Sequence, residues 1–195
     1  MAEMKPASRL ASGQFINIQR LHVAKLLTDE AGGTATYDTP VDLGKVLRSI
    51  DIKPSSSSAD LYADGQSIDT ATNTASYELS FDTAALPLEY VAYLLGHKCE
   101  NGVMVANKDD VAPYFAVMFQ SEKRNGSRRL VKFFKVMFEE PSVKGATKEA
   151  NISYQTPTLA AKAIYRLSDG NSYTYADTEC SGFDAETADS WYATV

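Results

Sequence analysis

A mainly β fold, sandwich-like or barrel-like with one flanking α-helix, is what this sequence predicts. Three observations carry that reading. Apolar and polar residues alternate with a period of two in several segments, an Asn-Gly pair sits between two apolar runs, and only one stretch shows helical spacing.

Taken in chain order, Leu21 to Leu27 reads as a strand, and Val46, Ile50 and Ile52 mark another. The stretch from Lys53 to Thr74, KPSSSSADLYADGQSIDTATNT, has no sustained period, and its Ser, Asp, Thr and Gly content predicts a long loop. Loops of that length are usually functional or disordered. Leu61, Tyr62 and Ile68 inside it are apolar anchors that a plain linker would not need, so the loop is expected to dock on a partner. Asp60, Asp64 and Asp69 lack the alternating ligands and closing Glu of an EF-hand, and Asp64-Gly65 is turn chemistry instead.

Ala75, Tyr77, Leu79 and Phe81 alternate with Ser76, Glu78, Ser80 and Asp82, which gives a strand with one dry and one wet face. Leu88, Val91, Ala92 and Leu95 fall at helical spacing, with Pro87 suited to the first turn and Gly96 to the position past the end. Asn125-Gly126 then predicts a hairpin. A two-residue turn pairs Glu122 with Arg129, Val117 with Phe134 and Phe115 with Val136. The opposite face carries Tyr114, Ala116 and Met118 against Met137, Lys135 and Phe133. Both faces are largely apolar, so each needs a cover. The protein's own core supplies one, and the helix or a neighbouring subunit the other. Ala150, Ile152 and Tyr154, and then Leu159, Ala161, Ala163, Tyr165 and Leu167, predict two further strands.

The chain has 195 residues, enough for one domain with arms: an N-terminal arm over 1–20, a β domain over 21–176 and an acidic tail over 177–195. Lys and Arg number 19 against 25 Asp and Glu, a net charge of −6, which disfavours a grip on nucleic acid. The longest apolar runs fall short of the roughly 20 residues that span a bilayer. MAEMKPASRLASGQ lacks the apolar core of a signal peptide, so neither membrane nor export is expected. Cys99 and Cys180 read as free thiols, and His22 and His97 lack further ligands at metal spacing. His97 suits a helix end, and Asp109-Asp110 loop residues before a strand. KRNGSRR, from Lys123 to Arg129, is the only basic cluster and sits at a hairpin tip, either solvated or facing an acidic surface of a neighbouring copy. No catalytic residue, metal or cofactor is expected.

In order, the chain shows Leu61-Tyr62-Ala63-Asp64-Gly65, Leu86-Pro87-Leu88-Glu89, Leu94-Leu95-Gly96-His97, Ala112-Pro113-Tyr114, Phe119, the Asn125-Gly126 turn and Gln155-Thr156-Pro157-Thr158-Leu159. With these motifs, over roughly residues 20 to 176, it resembles the major tail proteins of long-tailed bacteriophages, the tail tube proteins of the phi13-like type. The two ends of the chain carry no motif of that family.

The resemblance implies a tail tube fold whose subunits close into hexameric rings, and rings that stack into a tube conducting double-stranded DNA without binding it specifically. It implies a tape measure protein and a tail terminator as partners, assembly in the host cytoplasm and residence in the virion. On that reading Leu61, Tyr62, Asp64 and Ile68 belong to a ring-stacking loop. Phe115, Val117, Phe119, Phe134 and Val136 belong to an inter-subunit hairpin. An acidic lumen would let DNA slide. Two rivals remain: a β-sandwich binding module for carbohydrate or adhesion, and a hydrolase on an all-β scaffold.

Overall fold

The hairpin around Asn125-Gly126 organises the molecule. Its arms are β8 (Tyr114–Lys123) and β9 (Arg128–Phe138), the most deeply buried strands of the chain. The computed structural model describes residues 13–64, 66–143, 145–147, 154 and 156–195. Around the central pair lie β1 (Phe15–Thr28), β2 (Thr36–Tyr37), β3 (Val41–Asp42), β4 (Leu47–Ala63), β5 (Gln66–Thr83), β10 (Thr158–Ala163) and β11 (Tyr173–Asp177). They form one nine-stranded antiparallel sheet in the order β2-β1-β8-β9-β10-β5-β4, with β3 also on β1 and β11 also on β9. A separate ribbon pairs β6 (Lys98–Glu100) with β7 (Val103–Val105). Helix α1 spans Leu88–Leu95, and a short α2 spans Ala185–Ser190. The mainly β prediction holds; the second helix was not predicted.

The main core lies between the sheet and α1. Leu21 and Val23 of β1, Leu79 and Phe81 of β5, Val91, Leu94 and Leu95 of α1, and Phe115, Val117, Phe119, Phe133, Val136 and Phe138 of the central hairpin share it. The helix stops as its sequence predicts. Gly96 takes a left-handed φ of 74°, and a Cβ there would sit 2.6 Å from the Val111 carbonyl oxygen. Only glycine meets both demands.

The central hairpin corrects the predicted register. Lys123 N–H donates to Ser127 O at 2.8 Å and Gly126 N–H to Lys123 O at 2.9 Å. Arg124, Asn125 and Gly126 are therefore a three-residue loop, with Gly126 at a left-handed φ of 81°. Glu122 consequently faces Arg128, not Arg129, and Val117 faces Phe133, not Phe134. A bulge in β9 then restores the expected Phe115–Val136 pair. One residue of slip exchanges the two faces of a strand. Phe133 thus enters the core, while Phe134 turns to the other side, beneath the Arg166 guanidinium at 3.8 Å. At the bulge β9 also changes its outer partner, from β11 to β10.

The segment read as a loop over 53–74 is instead paired strand. Its registers run continuously from Leu47–Thr83 to Ala63–Gln66. Because β8, β9, β10, β5 and β4 are successively antiparallel, the turns of both long hairpins point to the same end of the sheet.

Other boundaries move. Phe15–Arg20, assigned to an arm, pairs with β8. The strand expected to reach Leu167 ends at Ala163. The strand predicted over Ala150 to Gln155 lies outside the described residues apart from Tyr154, which is exposed and in no strand.

The second face of the central hairpin is covered by the chain's own tail and not by α1. Trp191 and Tyr192, from the tail set apart at 177, close over Ala24, Ala116, Met118 and Leu130 as a second apolar cluster. Asp184 caps α2 by accepting from Glu186 N–H at 3.0 Å.

Candidate assembly surfaces

The outer part of the β4–β5 hairpin stands free. Every described residue from Lys53 to Asn73 is exposed. At about 3.3 Å per residue, the arm from Ser55 to Ala63 is about 30 Å long. The far edge of β4 ends the sheet, and β10 pairs only with Tyr77–Asp82 of β5, so both outer edges of the hairpin are open beyond that point. Ser, Thr, Ala and Asp fill most of the arms. Their support is the backbone ladder with a few cross-strand bonds, such as Thr70 Oγ1 to Asp60 Oδ1 at 2.7 Å and the Ser56–Thr74 hydroxyl pair at 3.0 Å.

The apolar anchors predicted from sequence sit at its tip. Leu61, Tyr62 and Ile68 are 59%, 65% and 61% exposed. Ile68 is the extra residue of a bulge, since Leu61 faces Asp69 while Tyr62 faces Ser67. Asp64 carries a left-handed φ of 50° at the turn. Gly65 lies outside the described residues.

The residues predicted for an inter-subunit hairpin have a different fate. Phe115, Val117, Phe119 and Val136 are buried in the chain's own core, and Phe134 is half-buried under Arg166. Their apolar surface is satisfied within one chain, which removes the reason for giving them to a neighbour.

The basic cluster is largely engaged as well. Lys123 Nζ lies 2.7 Å from Asp177 Oδ1 and 2.5 Å from Glu179 Oε1. Burial pushes its ammonium pKa down, and the two carboxylates outweigh that and raise it. Asn125 Nδ2 donates to Glu179 Oε2 at 2.7 Å, and Ser127 Oγ donates to the same oxygen at 3.2 Å. Hydrogen bonds from Lys123 and Asn125 hold the Glu179 carboxyl at about 2. Arg129 Nη2 meets Asp177 at 2.6 Å. The acidic surface facing this cluster belongs to the same chain.

His97 does more than end a helix. Nδ1 donates to Asp110 Oδ2 at 2.8 Å and Nε2 to Glu140 Oε1 at 2.7 Å. Both nitrogens therefore carry protons, and the bonds to Asp110 and then Glu140 raise its pKa. The clip ties the end of α1 to the 107–110 turn and to the segment after β9. Beside it Leu86, Leu88, Val91, Met104, Pro141, Val143 and Pro157 line a shallow apolar groove.

Tyr165, Tyr173 and Tyr175 are exposed near the fork between β11 and β5, with the Tyr173 and Tyr175 rings 4.7 Å apart. Cys99 and Cys180 are free thiols. Among the described residues no three His, Cys, Asp or Glu converge to hold a metal ion, and no helix is long and apolar enough to cross a membrane. No protein-family model matches the chain, and no curated protein matches it in sequence.

Proposed function

We propose that this chain is a self-assembling structural subunit, a tail tube protein of a long-tailed phage that forms hexameric rings stacked into a DNA-conducting tube. The observation that carries the reading is the bare β4–β5 hairpin. A two-stranded ribbon is marginal in water without a third strand or a packed face. This one is about 30 Å long, has open edges, and ends in three exposed apolar side chains and three aspartates. Open edges pair with further strands, and a sister copy supplies one at the same concentration as the chain itself. A head-to-tail contact of this kind closes into a ring or runs on as a filament. The tape measure protein and terminator are the partners this role requires, the virion is its location, and DNA passes without being held.

Negative-stain microscopy and size exclusion of the purified chain, over a wide concentration range, test the proposal. Rings or tubes are expected, and a chain that stays monomeric at every concentration overturns it.

One observation favours a second reading. Tyr165, Tyr173 and Tyr175 are exposed aromatic side chains, and the Tyr173 and Tyr175 rings lie 4.7 Å apart with a 35° tilt, a feature that a sugar-binding surface would use. A monomer that binds glycans, and loses binding on Tyr173→Ala, would establish a carbohydrate-binding module in place of the tube subunit.

A further inference from the structure

From Asp177 to Val195 the chain carries Asp177, Glu179, Asp184, Glu186 and Asp189 and no Lys or Arg, which is most of the net −6. What this segment lies on is basic. Lys123 and Arg129 lie near the β8–β9 turn on the face of Phe119 and Val131, Arg20, Arg128 and Lys132 lie on the opposite face covered by Trp191 and Tyr192, and Arg124 sits in the turn between them. Besides the Phe15 ring, over which Lys123 and Arg129 stand, these groups reach mainly to the tail. Lys123 holds Asp177 and Glu179, and Arg129 holds Asp177. Arg128 N–H donates to Thr178 Oγ1 at 2.9 Å. Lys132 Nζ donates to Thr194 O at 2.7 Å and lies 4.9 Å from the Trp191 ring centroid. The Arg20 guanidinium stands 4.4 Å over the Tyr192 ring. Arg124 and Arg128 keep exposed side chains that form no ion pair with any described residue.

We infer that the β8–β9 end of the sheet is a binding surface for the phosphate backbone of duplex DNA, held closed by the chain's own acidic C-terminal segment. The cradle around Glu179 is the clearest part of it. An ammonium, an amide N–H and a hydroxyl converge on one carboxylate, and Lys123 among them is buried. This donor set is the one that grips phosphate oxygens. Glu179 takes the phosphate's place. The surface reads charge and not sequence, because counterion release from the backbone drives such binding. The inference deepens the tube reading and rests on it only for its purpose, since a channel wall that grips phosphates would stall the passing duplex.

The test is fluorescence anisotropy with a labelled DNA duplex at about 50 mM and about 200 mM salt, the range over which phosphate contacts weaken steeply. The full chain is expected to bind weakly. Asp177→Asn with Glu179→Gln should bind at least about tenfold more tightly at the lower salt and lose that gain at the higher. Asp64→Asn with Asp69→Asn makes the same change in net charge on the distant hairpin tip and should gain nothing. Glu179→Gln alone leaves Lys123 its ion pair with Asp177, and it decides the matter if the double variant does not fold. A folded Glu179 variant that binds no better than wild type, or a hairpin-tip control that gains as much, overturns the inference. The readout is binding and not polymerisation, so a chain that forms no tubes still passes or fails it.

Discussion

The β4–β5 and β8–β9 hairpins share a direction, an antiparallel ladder and a polar turn, yet they stand for opposite reasons. In β8–β9 both faces are covered, one by the main core and one by Trp191 and Tyr192. In the outer half of β4–β5 neither face is covered, and every described residue from Lys53 to Asn73 is exposed. Burial of aromatic side chains fixes the first. The second has only its ladder and a few hydroxyl bonds. The difference separates two kinds of apolar residue that look alike in a sequence. Phe115 and Phe133 are used up inside the chain, whereas Leu61, Tyr62 and Ile68 remain available to something else.

The largest expected effect comes from striking the closed hairpin. Phe133 is fully buried against Tyr77, Tyr173 and Tyr175. Phe133→Ala should cost about 3–5 kcal/mol in urea unfolding, which is enough to unfold many domains of this size. Phe134→Ala is the sharper half of the pair. With the predicted two-residue turn it would face Val117 and share that residue's side of the sheet, but in the observed register it should cost distinctly less. Equal losses would contradict the bulge. Next in size is the cover. Trp191→Ala removes the main anchor of the tail and, with the ring still slightly exposed, should cost about 3 kcal/mol, the low end for a buried Trp. It should also speed proteolysis after residue 177 while leaving the core strands protected from hydrogen exchange.

What could be read in advance was local. Period two in Tyr77 to Asp82, and Pro87 and Gly96 around Leu88–Leu95, are written in neighbouring residues and stand where expected, whereas a bulge at Ala75 leaves that residue exposed and buries Ser76 on the face expected to be wet. The register of β8–β9 was not, because Asn125-Gly126 serves both two-residue and three-residue loops, and a bulge further along hid the slip. The long hairpin was missed because Ser, Thr and Ala carry no hydrophobic period when neither face is buried. Its signal was weaker: two arms of similar length around Asp64-Gly65, one of them rich in β-branched Thr. The tail's docking is hard to read because its contacts are distant in sequence, although three aromatic residues, Phe183, Trp191 and Tyr192, in a largely polar segment are the clue to a docked end. Leu61, Tyr62 and Ile68 stand out in the sequence as apolar anchors, and the structure leaves them exposed at the tip of a paired hairpin instead of in a loop.

A smaller effect belongs to the body through the His97 clip. Its pKa is raised above the unfolded value of 6.5. Its contribution is therefore full below pH 6.5 and is lost as pH climbs through the folded pKa. Asp110 and Glu140 are the charged groups that face it. Thermal unfolding of the wild type should weaken over that rise, whereas His97→Gln should show a flatter profile and cost about 1 kcal/mol at pH 6. Because the clip lies in the closed part of the molecule, amide exchange in Ser55–Asn73 should not follow the pH. If the free hairpin loosened together with the body, the two regions would not be independent.

The smallest effect on stability is the most telling. Replacing Leu61, Tyr62 and Ile68 together with Ser takes away no intramolecular burial, since all three side chains lie mostly in water. The unfolding midpoint of the isolated chain should therefore move by no more than about 0.5 kcal/mol. Assembly should respond in the opposite way. If a sister copy covers these side chains, losing that apolar contact removes association while the monomer remains intact, and size exclusion should show a shift from assembled to single chains. A large loss of monomer stability would mean that the tip packs on its own body in solution. Unchanged rings or tubes would mean that the contact between copies lies along the open edges of β4 and β5 and leaves the tip unused.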